Sequence, residues 1–122
     1  MPARVLIVDD EPDVLNVLRE SLLLEGHTVE TTTTGAAAIA AVRERSPDVV
    51  LLDLNLPGVL DGRAVLGVIS REVPVIVITA VNDLADARAQ LQGGAFDFIS
   101  KPFDFDRVNE LVAAAIAYRG AP

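Results

Sequence analysis

Val49-Val50-Leu51-Leu52-Asp53-Leu54-Asn55-Leu56-Pro57-Gly58 is the stretch that decides the fold. Four apolar residues run straight into a carboxylate, and a Pro-Gly turn signal follows. A short apolar run bounded by turn residues predicts a strand buried on both faces. That strand delivers Asp53 at its C-terminal end, where packing has no need of an acid.

The flanking sequence repeats the pattern. Arg4 to Val8 is a β-branched run that ends in Asp9-Asp10-Glu11-Pro12. Pro12 suits the first turn of a helix, where its missing N–H costs nothing. Val14, Leu15, Leu18 and Leu22 then mark an amphipathic helix, and Gly26 stops it. Thr28 to Thr32 is a second, weakly alternating strand. Gly35 to Arg45 is an Ala-rich helix with Thr34 as N-cap, and Ser46-Pro47 ends it. Beyond the central strand, Arg63 to Arg71 predicts a weaker helix, because Gly67 sits inside it. Val75 to Ile78 is a fourth strand ending in Thr79-Ala80, and Leu84 to Gln92 a short helix closed by Gly93-Gly94. Phe96 to Ile99 is the fifth strand, followed by Ser100-Lys101-Pro102. A last helix starts near Asp104, and Arg119 to Pro122 is a frayed end.

Five β-α units imply a parallel sheet covered by helices on both faces, an α/β doubly wound, flavodoxin-like fold with strand order 2-1-3-4-5. One domain is expected over residues 1–119, with 120–122 a tail or the start of a linker. At 122 residues and 51% hydrophobic content the chain can bury a core, so disorder is excluded. No apolar run is long enough to cross a membrane, and no signal region opens the chain. The absence of cysteine fits the cytoplasm and removes any thiolate site. A net charge of −8 argues against a nucleic-acid-binding surface on this domain.

In such sheets ligands bind outside the carboxyl ends of the strands. Those ends carry Asp9-Asp10, Thr33-Thr34, Asp53, Thr79 and Lys101. Three converging carboxylates repel one another unless a cation intervenes. A hard divalent ion with oxygen ligands resolves that repulsion, so Mg²⁺ is expected, with Mn²⁺ as the substitute. Lys101 adds a point charge suited to a phosphoryl oxygen, and Thr79 adds a hydroxyl donor. An aspartate nucleophile, a metal, a lysine and a hydroxyl form a set for phosphoryl transfer.

Asp9-Asp10, Asp53, Thr79-Ala80 and Lys101-Pro102-Phe103 together resemble the motifs of two-component response-regulator receiver domains, in order and over essentially all of the chain. The resemblance implies that Asp53 is the phosphorylated aspartate. It implies that Asp10 and Asp53 ligate Mg²⁺ directly, with the backbone carbonyl of Asn55 as a third ligand and Asp9 acting through water. Lys101 would pair with the phosphoryl group or with Asp53. Thr79 would swing to a phosphoryl oxygen, with Phe98 as the aromatic switch. The Lys101-Pro102 bond would be cis. A sensor histidine kinase or phosphotransfer protein is the implied partner, with homodimerisation through the face of the fourth helix, fifth strand and fifth helix. The only activity implied is on the domain itself. Gly94 to Phe98 and Pro102 to Asp104 are most similar to receivers of nitrogen-regulatory type. Two departures stand out: Pro57 to Gly62 is one residue longer than the usual turn, and Gly62 to Pro74 is several residues short. Phe98 has no hydroxyl, which excludes a switch hydrogen bond there.

Blander readings stand beside these. Asp9-Asp10 could cap the first helix, Lys101 could be a solvated loop lysine, and Phe98 could be core. Glu11 reads as a solvated residue at the site rim, and His27 as a surface turn residue. Three other functions fit the fold class. A haloacid-dehalogenase-type phosphatase wants a second aspartate where Asn55 stands. A flavin module would meet the repulsion of Asp9-Asp10-Glu11 at its phosphate. An unphosphorylated interaction scaffold would not need the acid set.

Overall fold

The computed structural model describes residues 2–80 and 84–120. Ala121 and Pro122, in the expected frayed end, lie outside the described residues. Strands β1 (Arg4–Val8), β2 (Thr28–Thr32), β3 (Val49–Asp53), β4 (Val75–Ala80) and β5 (Asp97–Lys101) alternate with helices α1 (Pro12–Leu24), α2 (Gly35–Arg45), α3 (Gly62–Ile69), α4 (Leu84–Gln92) and α5 (Phe105–Arg119). The sheet is parallel throughout, in the order β2-β1-β3-β4-β5. The doubly wound fold expected from the sequence is the one observed.

Strand alternation divides the core into two layers. Val5, Ile7, Val49, Leu51, Ile76 and Ile78 pack with Leu15, Leu18 and Leu22 of α1 and with Val108, Leu111, Val112 and Ala115 of α5. Leu6, Val8, Val50, Leu52, Val75 and Val77 pack with Ala38, Ala41 and Val42 of α2 and with Val65, Leu66 and Ile69 of α3. Every residue of β3 is buried, as its unbroken apolar run requires. Ala38 and Ala41 are fully buried where α2 meets the sheet.

Local signals set the helix ends. Pro12 opens α1, and Gly26 follows it with φ +88°. The Thr34 hydroxyl accepts from the Ala37 N–H at 3.2 Å, and Asp104 caps α5. Two boundaries differ from the sequence reading. Helix α3 runs from Gly62 to Ile69 rather than from Arg63 to Arg71, because the Asp61 carboxylate caps it through the Ala64 N–H at 3.0 Å. At the far end the Ser70 N–H still bonds the Leu66 carbonyl, but the Glu72 N–H turns back to the Ile69 carbonyl at 2.9 Å, so the helix gives way to a turn after Ile69. Strand β5 starts at Asp97 and extends to Lys101, so the lysine stands on the strand and not beyond it. His27 is half-buried rather than a free surface residue, and its Nδ1 accepts the Ala3 N–H at 3.1 Å. Burial accordingly lowers its pKa.

Candidate functional site

The register assembles the site. Val8 pairs with Leu52, so the next residues, Asp9 and Asp53, emerge side by side at the ends of β1 and β3. On the other side Asp53 pairs with Ile78, which places Thr79 one step further along β4. Ala80 pairs with Lys101 across β4 and β5. One carboxylate oxygen from each of Asp9, Asp10, Glu11 and Asp53 lies within 4.8 Å of the other three.

Burial divides this cluster. Asp9 is 0% exposed and Asp53 4%, while Asp10 and Glu11 reach solvent. The Asp53 Oδ1 accepts the Asn55 N–H at 2.9 Å, which orients the carboxylate. Asp9 Oδ1 accepts the Glu11 N–H at 2.9 Å, whereas Asp9 Oδ2 is buried with no hydrogen-bond partner among the described residues. Burial, reinforced by the charges of Asp53 and Glu11, pushes the Asp9 carboxyl up to about 6 against the opposing effects of the Glu11 N–H and Lys101. A buried carboxylate oxygen without a donor is costly unless something cationic completes it. A set of hard oxygen donors with such an orphan fits a divalent cation of the Mg²⁺ class.

Lys101 lies beside this cluster. Its Nζ is 3.4 Å from Glu11 Oε1 and 3.8 Å from Asp9 Oδ2. The expected partner is Asp53 or a phosphoryl group; in the structure the ammonium lies by Glu11 and Asp9, and Asp53 Oδ1 accepts the Asn55 N–H. The Lys101-Pro102 bond is cis. Thr79 is 1% exposed, and its hydroxyl donates to the Ala80 carbonyl at 3.4 Å. Phe98 is half-buried against the α2–α3 core layer. Asp9 and Asp10 do not cap α1: Glu11 holds that position, with no side-chain bond.

Two participants escaped the sequence reading. Glu11 belongs to the carboxylate cluster and not just to its rim, and its position beside Asp9-Asp10 was the available signal. Arg63 donates through Nη1 to the Leu54 carbonyl at 3.1 Å, next to Asp53. It also grips Asp86 of α4, and no local motif announces a partner 23 residues away.

Comparison with known proteins agrees with this geometry. The response regulator receiver domain profile matches residues 5–113. The chain is 43% identical over 114 residues to the transcriptional regulatory protein KdpE of Mycobacterium tuberculosis, covering 92% of this chain and 50% of that protein. It is 40% identical over 117 residues to the DNA-binding transcriptional regulator NtrC of Escherichia coli, covering 93% of this chain and 25% of that protein. The crystal structure of the receiver domain of NtrX from Brucella abortus matches with a TM-score of 0.88 at 36% identity, over 93% of this chain and 98% of that one. The NtrC and NtrX matches support the nitrogen-regulatory likeness, beside KdpE at similar identity. The chain spans about half the length of the curated relative KdpE. On the profile match and these identities, the chain belongs to the response regulator receiver domain family of two-component systems.

Proposed function

We propose that this domain is a phosphorylation-activated switch in which Asp53 takes a phosphoryl group from a histidine kinase phosphohistidine in a Mg²⁺-dependent reaction. The observation that carries the reading is the pairing of a buried, oriented Asp53 carboxylate with the orphaned oxygen of Asp9 and the ammonium of Lys101 at one sheet end. The Asn55 N–H bond to Oδ1 fixes Asp53 and leaves its second oxygen to attack phosphorus in line. The P–N bond of the donor breaks, and its electron pair returns to the imidazole. Asp10, Asp53 and the Asn55 carbonyl would hold Mg²⁺, with Asp9 bound through water. When bound, the ion neutralises charge on the phosphoryl oxygens. Lys101 is close enough to the cluster to exchange a carboxylate partner for a phosphoryl oxygen. Thr79 gives up the weak bond to Ala80 to donate to that group, and Phe98 follows it.

The chain turns over no separate substrate in this reading, since it catalyses only its own modification and its reversal. Relatives named as transcriptional regulators make transcription the proposed output, with the domain in the cytoplasm. Among the described residues, no helix is long and apolar enough to cross a membrane. The face of α4, β5 and α5 is the proposed homodimer contact. Incubation with acetyl phosphate and Mg²⁺ should add one phosphoryl group by intact mass, and a chelator should cut uptake at least about tenfold. Equal uptake with and without the ion would overturn the metal dependence.

A further inference from the structure

Arg63 links two parts of the fold that the phosphotransfer chemistry itself does not join. Its Nη1 donates to the Leu54 carbonyl at 3.1 Å, and that carbonyl also accepts the Gly62 N–H at 3.2 Å. Its Nε donates to Asp86 Oδ1 at 3.3 Å, and its Nη2 donates to Asp86 Oδ2. Asp86 stands in the first turn of α4 and also accepts from Gln90 at 3.1 Å. Asp61, the cap of α3, lies 3.7 Å from Nη1. Leu54 is buried and follows the phosphoacceptor directly. A planar guanidinium suits this geometry, because it can grip a carboxylate with two donors while a third reaches a carbonyl. The Arg63 guanidinium also holds the Asp86 carboxyl below its ordinary range.

We propose that Arg63 is a tether on α4: through Asp86 it staples the first turn of α4 to the backbone beside Asp53, and so restrains α4 in the unphosphorylated domain. The inference rests on the phosphoacceptor reading given above. Displacing that turn from the end of β3 must break the fork or drag the Leu54 carbonyl with it. The link therefore opposes a change at α4, and loosening it raises the population that favours a phosphoryl group on Asp53.

The test uses Arg63→Met, Asp86→Asn and the double variant in the full chain. Hydrogen exchange over 84–92 is measured without phosphodonor, and phosphoryl uptake from acetyl phosphate is followed by intact mass. Each single variant should speed both by about two- to fivefold, the size a partly exposed ion pair supplies. The double variant should do no more than either single, because one link is being broken. Asp86→Asn leaves the α3 end of the link untouched, so it reads out the tether even if Arg63→Met folds poorly. A role for Arg63 confined to α3 would speed exchange over 62–69 and leave 84–92 unchanged, which overturns the proposal. Effects that add in the double variant, or faster exchange with unchanged uptake, overturn it as well. Failure of the wild type to take up any phosphoryl group would instead remove the phosphoacceptor reading, and the exchange over 84–92 would still decide whether the link exists.

Discussion

Gly62→Ala should destabilise the domain by about 3 kcal/mol, lower its thermal midpoint by roughly 10 °C, and disable phosphoryl uptake. A β-carbon at Gly62 would overlap the Asp53 carbonyl oxygen and the Leu54 Cα, and would stand 2.8 Å from the Asp53 carbonyl carbon. All three atoms are backbone of the central strand end, fully packed on both faces, so none can yield cheaply. The first turn of α3 would have to lift, losing the Gly62 N–H bond to Leu54 at 3.2 Å and shifting the segment that carries Asp53. Gly67 is the internal control. A β-carbon there meets nothing within 4 Å among the described residues, so Gly67→Ala should gain about 0.5–1 kcal/mol from helix propensity alone. Thermal unfolding of the two variants beside the wild type checks both signs. Equal, small effects at the two positions would mean that the approach of α3 to Asp53 is not constrained as described.

Asp9→Asn should stabilise the domain at pH 7 by about 1–2 kcal/mol, in chelator, and should have next to no effect at about pH 3, below the unfolded value. The Asp9 carboxyl is raised from 3.8 to about 6 in the folded chain, first by burial and then by its acidic neighbours. Below the unfolded value it is protonated in both states and costs nothing. As pH rises between the two values, the unfolded chain releases a proton that the folded chain still holds, so this group's contribution to stability falls. Above about 6 the buried carboxylate is ionised and the loss is complete. Asparagine cannot ionise, yet its side-chain oxygen can still accept the Glu11 N–H. Urea unfolding at the two pH values measures the difference. The same substitution removes the orphaned charge that a divalent cation would satisfy, so stabilisation of the wild type by added Mg²⁺ should shrink in the variant. A variant less stable than the wild type at pH 7 would contradict a strained, cation-seeking Asp9.

What the sequence disclosed was local or periodic. The run Val49 to Leu52 ends in Asp53, and the β-branched runs at Val5 and Val75 flank it; such patterns fix strands, order and the sheet end at which a site forms. The cap at Thr34 and the stop at Gly26 are equally local signals. Contacts between distant side chains were not legible. Lys101 stands 3.4 Å from Glu11 Oε1 and 3.8 Å from Asp9 Oδ2, contacts between segments some 90 residues apart that only the assembled fold makes. Helix α3 starts at Gly62 because Asp61 caps it, although Gly67 had weakened the reading of that whole segment. His27 was placed at the surface because nothing adjacent reveals the Ala3 N–H that β1 and the α1–β2 turn bring to it. Arg63 was silent for the same reason, its partners being Leu54 just past β3 and Asp86 on α4.

The most direct test of the account is intact mass after incubation with acetyl phosphate and Mg²⁺, on the wild type and on Asp53→Asn in parallel. A single added phosphoryl group on the wild type and none on the variant is the predicted result. Incorporation on Asp53→Asn equal to that on the wild type would contradict the assignment of Asp53 as the acceptor.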